Sequence, residues 1–144
     1  MREVTKEEAN APWYSTTGAL RYSIENGVYK LIVEVDPGIA ALARALTPVK
    51  LNKPKYAPHI SVVRHEVPPN LDAWGKYQGQ LVSFDYCPFV HNDEKYYWLN
   101  VYSPALVNIR LTLGLPASSL KSRPPDGTEI FHMTIGNTKG LSDG

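Results

Sequence analysis

The sequence predicts an α+β protein made of two similar halves: a bilobal, duplicated fold with two antiparallel sheets and flanking helices. Three observations predict it. The order strand, turn, strand, helix, basic proline-containing loop, strand can be read twice along the chain. Both helices open on a capping residue followed by proline, Asp36-Pro37 and Ser103-Pro104, 67 positions apart. Both halves close on a strand of the pattern histidine, apolar, hydroxyl, aliphatic. These are His59-Ile60-Ser61-Val62 and His132-Met133-Thr134-Ile135, with their histidines 73 positions apart. The longer second loop absorbs the difference. Residues 1–16 then form an N-terminal arm, 17–137 a single bilobal domain and 138–144 a tail. The approximate half-repeats are 17–66 and 79–137.

The elements follow in order. Thr5 to Glu8 begin a short helix that Pro12 stops. Trp13 and Tyr14 either pin the arm to the domain or cover a nucleobase. Thr17–Ser23 is a strand. Asn26-Gly27 is a hairpin turn, because both residues accept positive φ. Val28–Val35 is the returning strand, with Tyr29, Leu31, Val33 and Val35 on one face. The first helix carries Ile39, Leu42, Ala43 and Leu46 on one side, and Pro48 ends it. A loop bearing Lys50, Lys53, Lys55 and Tyr56 leads into the His59 strand.

Val67 to Asn70 is a rigid turn, and Leu71–Tyr77 a short helix or irregular connection around Trp74. Gln80–Tyr86 is a strand ending before Pro88, and His91-Asn92-Asp93 a turn. Lys95–Tyr102 is a strand, and Ala105–Leu113 the second helix, stopped by Gly114. Leu115–Glu129 is a long loop with Lys121 and Arg123, leading into the His132 strand.

Composition narrows the class. A chain of 144 residues, 43% hydrophobic and 20% charged, is expected to form one globular domain. A net charge of +1 gives no global basic field for duplex DNA. A single cysteine, Cys87, excludes an intramolecular disulfide and a cysteine-rich zinc site. No apolar run reaches the roughly 18–20 residues that span a membrane, and residues 1–10 lack the apolar core of a secretory signal. A cytoplasmic location, in a bacterium or an infected host cell, is expected.

The paired motifs carry the chemistry. Side chains alternate along a strand, so His59 shares a face with Ser61 and His132 with Thr134. Two imidazoles that hold either protonation state near neutrality can divide the work, one accepting a proton from a nucleophile and the other donating to a leaving alkoxide. Each role typically contributes roughly 10²–10⁴-fold. The hydroxyls of Ser61 and Thr134 can donate to non-bridging phosphate oxygens. Packing is the competing reading for either motif alone, and the matched positions weigh against it. His65 and His91 read as surface or turn residues. A zinc site of His59, His65 and an acid lacks the usual ligand spacing.

With these motifs and this layout, the chain resembles the 2H phosphoesterase superfamily. That family includes 2′,3′-cyclic phosphodiesterases and virus-encoded enzymes that destroy signalling cyclic or 2′–5′ oligonucleotides. The stretches Pro58–Pro69 and His132–Asn137 are most similar to its small phage and bacterial RNA-repair-like members. The likeness covers roughly residues 17–137 in layout and eight residues in detail. It implies a bilobal fold with a central cleft and no cofactor or metal requirement. It also implies His59 and His132 as the acid/base pair, and Ser61 and Thr134 as phosphate ligands. The expected partner is a small nucleotide, either a cyclic oligonucleotide messenger or a 2′,3′-cyclic phosphate. Tyr56, Lys55, Trp13, Tyr14 and Arg123 are candidate substrate contacts. Trp74 and Trp98 are candidates for stacking or for the core. The alternatives are a module that sequesters a nucleotide or RNA end without cleaving it, and a structural domain with its motifs packed away.

Overall fold

The computed structural model describes residues 13–53, 58–117 and 131–139. The described part is α+β: six antiparallel strands and two α-helices. Strands β1 (Tyr14–Glu25) and β2 (Val28–Glu34) form the first hairpin. Its turn is Asn26-Gly27, with φ of 52° and 77°. Both values are positive, as the sequence requires of this two-residue connection. Helix α1 (Pro37–Leu46) follows, with the Asp36 carboxylate accepting from the Gly38 N–H at 2.8 Å. Strand β3 (His59–Arg64) completes the first half.

The second half repeats the order. Strand β4 (Leu81–Asn92) pairs with β5 (Tyr96–Tyr102), helix α2 (Pro104–Thr112) follows, and β6 (Phe131–Asn137) ends it. The Ser103 hydroxyl caps α2, accepting from Leu106 N–H at 3.2 Å and donating to Ser83 O at 2.8 Å. One turn of 3-10 helix, Leu71–Ala73, lies between the halves.

The two expected sheets are joined into one. The strand order is β1-β2-β3-β6-β5-β4, and β4 returns to β1, so the sheet closes as a barrel. One seam pairs β1 with β4, from Tyr14↔Tyr86 to Ala19↔Leu81. The other pairs β3 with β6 through Ile60↔Met133. Backbone groups on the edge of an open three-stranded sheet are exposed to pairing with other chains, and the two seams give partners to groups on those edges.

Every strand buries one face in a single hydrophobic cluster. It includes Leu20, Leu31, Val33, Ile60, Phe84, Leu99, Val101 and Met133, together with Ala40 and Ala43 of α1 and Leu106 and Ile109 of α2. Burying such side chains stabilises by about 1.5–3 kcal/mol each, relative to exposure. The helices also tie the halves together. Arg44 of α1 donates to Ile135 O in β6 at 2.7 Å. Arg110 of α2 donates to Val62 O in β3 at 2.7 Å, and its guanidinium grips the Glu66 carboxylate at 2.9 and 2.8 Å. Each arginine thus reaches the carbonyl three residues beyond the other half's motif histidine.

Several boundaries differ from expectation. β1 starts at Tyr14, inside the expected arm, because Tyr14, Ser15 and Thr16 find ladder partners on β4. β4 runs through Pro88 to Asn92, with an irregularity between Tyr86 and Val90 that spares the ladder the missing N–H. His91 is therefore buried in a strand, 1% exposed, and is neither a surface nor a turn residue. The turn lies further on, where the Asp93 carboxylate accepts from Lys95 and Tyr96 N–H. On α1, Ala43 is buried and Ile39 packs against the core as expected, but Leu42 and Leu46 are 62% and 76% exposed, and Ala40 faces the core in their place.

Candidate functional site

The β3–β6 seam brings the two motifs together. Ile60 and Met133 are ladder partners, and both are fully buried in the core. One residue further in either direction, an antiparallel ladder sets His59 beside Thr134 and Ser61 beside His132. All four then project from the opposite face, where all four are half-buried. Directly opposed residues have Cβ atoms about 4.5–5.5 Å apart, and diagonal neighbours stand about 7–8 Å apart. The histidines occupy one diagonal of this square and the hydroxyls the other. Each histidine thus has the other motif's hydroxyl at its side.

The neighbouring ladders extend the square into two rows. The first runs Glu34, His59, Thr134, Trp98, His91, through the ladder pairs Glu34↔His59, Trp98↔Thr134 and His91↔Trp98. The second runs Arg21, Ile32, Ser61, His132, Asn100, through Arg21↔Ile32, Ile32↔Ser61 and Asn100↔His132. Arg21 and Glu34 form an exposed ion pair at one end. At the other end the rings stack. Trp98 lies 5.0 Å from His132, with 29° between the planes, and 6.2 Å from His91, with 22°. Asn100 Nδ2 lies 3.2 Å from His91 Nε2, and both residues are buried.

Sequence reasoning missed Glu34, Arg21, His91 and Asn100. Period-two alternation along Lys95–Tyr102 does put Trp98 and Asn100 on one face. Which strand lies beside it is a matter of register between distant segments, and no local pattern carries that.

The weaker site residues fare differently. Tyr14 lies on the β1–β4 seam, separated from the motif seam by a full strand on either side. Its ring sits 5.7 Å from Tyr86, so it packs along its own ladder and is not brought to the histidines. Trp13 is the half-buried residue just before it. Lys55, Tyr56, Lys121 and Arg123 lie outside the described residues. Lys53 is exposed, one residue beyond the Asn52↔Asn137 bridge that ties the first loop to β6. Trp74 packs edge-on against Tyr22 and Tyr29 at 5.0 and 5.1 Å. His65 is exposed.

The charged groups that shape this region have identifiable causes. The Arg110 guanidinium beside Glu66 holds that carboxyl below its ordinary range, against the opposing effect of burial. Burial pushes the Tyr22 phenol up. Among the described residues, no three or more histidine, cysteine or acidic side chains are grouped to hold a metal ion. No described helix is long and apolar enough to cross a membrane.

No protein-family model matches the chain, and neither a curated protein nor a solved structure does.

Proposed function

We propose that the chain is a metal-independent phosphodiesterase of the 2H type, acting on a small nucleotide through His59 and His132. The observation that carries this reading is the β3–β6 register, which makes the two His-x-hydroxyl motifs adjacent and crossed on one face. A phosphodiester over this square meets an imidazole at two opposite corners. The neutral ring takes the proton of an attacking water or of a ribose 2′-hydroxyl. The protonated ring gives its proton to the departing alkoxide oxygen. Ser61 and Thr134 donate to the non-bridging oxygens, whose charge grows in the transition state. A small substrate suits the local charge, since Arg21 is already paired with Glu34. The substrate class is a cyclic oligonucleotide messenger or a 2′,3′-cyclic phosphate, which fits viral immune evasion or RNA repair.

The same reading takes the fold as two fused half-domains around the site. It is supported by the repeated element order, the matched caps at Asp36 and Ser103, and the reciprocal carbonyl bonds of Arg44 and Arg110.

The test is a panel of 2′,3′-cyclic nucleotides and cyclic dinucleotides, incubated with the protein in EDTA, with products identified by mass spectrometry. Turnover is expected to survive chelation and to fall roughly 10²-fold or more in either His59→Ala or His132→Ala. Loss of turnover in EDTA, or full activity in both variants, overturns the mechanism. Tight binding without turnover identifies a sequestering module instead.

A further inference from the structure

Strand β3 breaks its own alternation. Continued from His59 and Ser61, period two would turn Val63 to the site face and Arg64 to the core. The ladder instead steps from Ile32↔Ser61 to Leu31↔Val63, so Val62 is an extra residue, a β-bulge. Val62 and Val63 are both buried, and Arg64 emerges exposed, opposite Lys30 and on the face that carries Ser61. The bulge is held in place. The Val62 carbonyl accepts from the buried Arg110 guanidinium at 2.7 Å, and the same guanidinium grips Glu66. Arg64 therefore sits between two points fixed by one side chain. Strand β6 repeats the device: its ladder skips Ile135, whose carbonyl accepts from Arg44 at 2.7 Å. The residue brought out there is Asn137, which is neutral and accepts from Asn52 Nδ2 at 3.2 Å. The nearby Lys139 lies over the Tyr96 ring, 4.8 Å from its centroid.

The two bulges thus bring out a cation at one end of the site face and a neutral amide at the other. At the cationic end, Lys30 and Arg64 are directly opposed on paired strands, an arrangement that destabilises a sheet. Glu25 meets Lys30 at 3.7 Å, but both are exposed, so this pair offsets little of the repulsion. An anion between the two side chains removes it. We propose that Lys30 and Arg64 bind a second phosphate of the substrate, one nucleotide step from the phosphate held at the motif square. Lys30 lies two residues along β2 from Ile32, the ladder partner of Ser61, which is about 6.6–7 Å of strand. That step is comparable to the spacing of successive phosphates along a nucleotide chain. The inference rests on the phosphodiesterase reading for what occupies the square. It deepens that reading by naming the substrate class: a cyclic dinucleotide or a short strand with an internal phosphate, in preference to a mononucleotide.

Titration calorimetry with deoxynucleotide probes, which lack the 2′-hydroxyl nucleophile, tests the subsite by binding alone. The probes are d(ApA), with one phosphate, and d(pApA) and cyclic di-dAMP, each with two. The wild-type protein is expected to bind d(pApA) at least about tenfold more tightly than d(ApA), the worth of a charge-assisted hydrogen bond. Lys30→Gln and Arg64→Gln are each expected to shrink that advantage several-fold, and the double variant to abolish it. Arg64→Lys keeps the charge and is expected to keep most of it. Both positions are exposed, so the variants are expected to fold as the wild type does. Equal affinity for the two linear probes, no binding of either two-phosphate probe, or an advantage that survives in the double variant overturns the proposal. Tighter binding of cyclic di-dAMP assigns the second phosphate to a ring, and tighter binding of d(pApA) assigns it to a strand; both outcomes uphold the subsite, provided the double variant weakens them. If no nucleotide in the activity panel is turned over, the phosphodiesterase reading fails while these affinities still decide the subsite.

Discussion

At the scale of single residues, the crossed square makes the hydroxyls as informative as the imidazoles. Ser61 and Thr134 stand beside the opposite motif's histidine, so under the proposed phosphodiesterase reading each would donate to a phosphate between the two rings. Thr134→Val keeps the branched shape and removes the donor. It is expected to lower kcat/KM by about 10²-fold with an unchanged far-UV spectrum, as losing one oxyanion donor does elsewhere. Ser61→Ala is expected to do the same. These four residues were legible in the sequence because period-two alternation is a local property. His91 was not. His-Asn-Asp after Pro88 has the composition of a turn, and a strand crosses that proline only because the ladder is irregular between Tyr86 and Val90. For Asn100 alternation gives the face, and for neither Asn100 nor Glu34 does the sequence give the neighbouring strand, on which their placement depends.

Among elements, the helix starts were legible and the helix faces only in part. Asp36-Pro37 and Ser103-Pro104 act as caps, as their composition predicts. The apolar stripe of α1 misled, because Leu42 and Leu46 outweigh two alanines in any count of hydrophobicity. Small side chains let the helix approach β6 closely enough for Arg44 to reach Ile135 O. Leu42→Gln is therefore expected to change stability by less than about 0.5 kcal/mol. Ala43→Leu is expected to cost about 1–3 kcal/mol, both measured by urea unfolding.

The other helix is anchored by charge. Arg110 is 1% exposed and Glu66 26% by side chain. Glu66→Gln leaves the guanidinium with Val62 O, Pro116 O and a neutral amide. The expected cost at pH 7 is about 2–3 kcal/mol, below the roughly 3–5 for fully buried pairs because Glu66 keeps some contact with water. The folded carboxyl titrates below its unfolded value, so the pair contributes fully above about pH 4.3 and loses its contribution as pH falls through the lower, folded pKa. The stability gap between wild type and Glu66→Gln should accordingly close in acid, as thermal melts from pH 7 to pH 3 would show.

For the molecule as a whole, the repeated order of elements could be read from the chain, and the joining of the halves could not. Two three-stranded sheets and one six-stranded barrel share the same alternation, caps and turns. They differ in two seams whose strands are far apart in sequence, and nothing local distinguishes a paired edge from a covered one.

Those seams have a kinetic consequence. Ser15 and Asp85, hydrogen-bonded on one seam, are 70 residues apart, and the other seam joins Ile60 to Met133. The hairpins close short loops and are expected to form early, whereas the seams carry the largest loop-closure entropy and are expected to form last. The candidate site is built on the second of these late contacts. Ile60→Val at the β3–β6 seam should then mainly speed unfolding and leave the folding rate nearly unchanged, while a conservative change within the β1–β2 hairpin should slow folding. Stopped-flow refolding would show it, and the proposed turnover is expected to return only in the slowest phase.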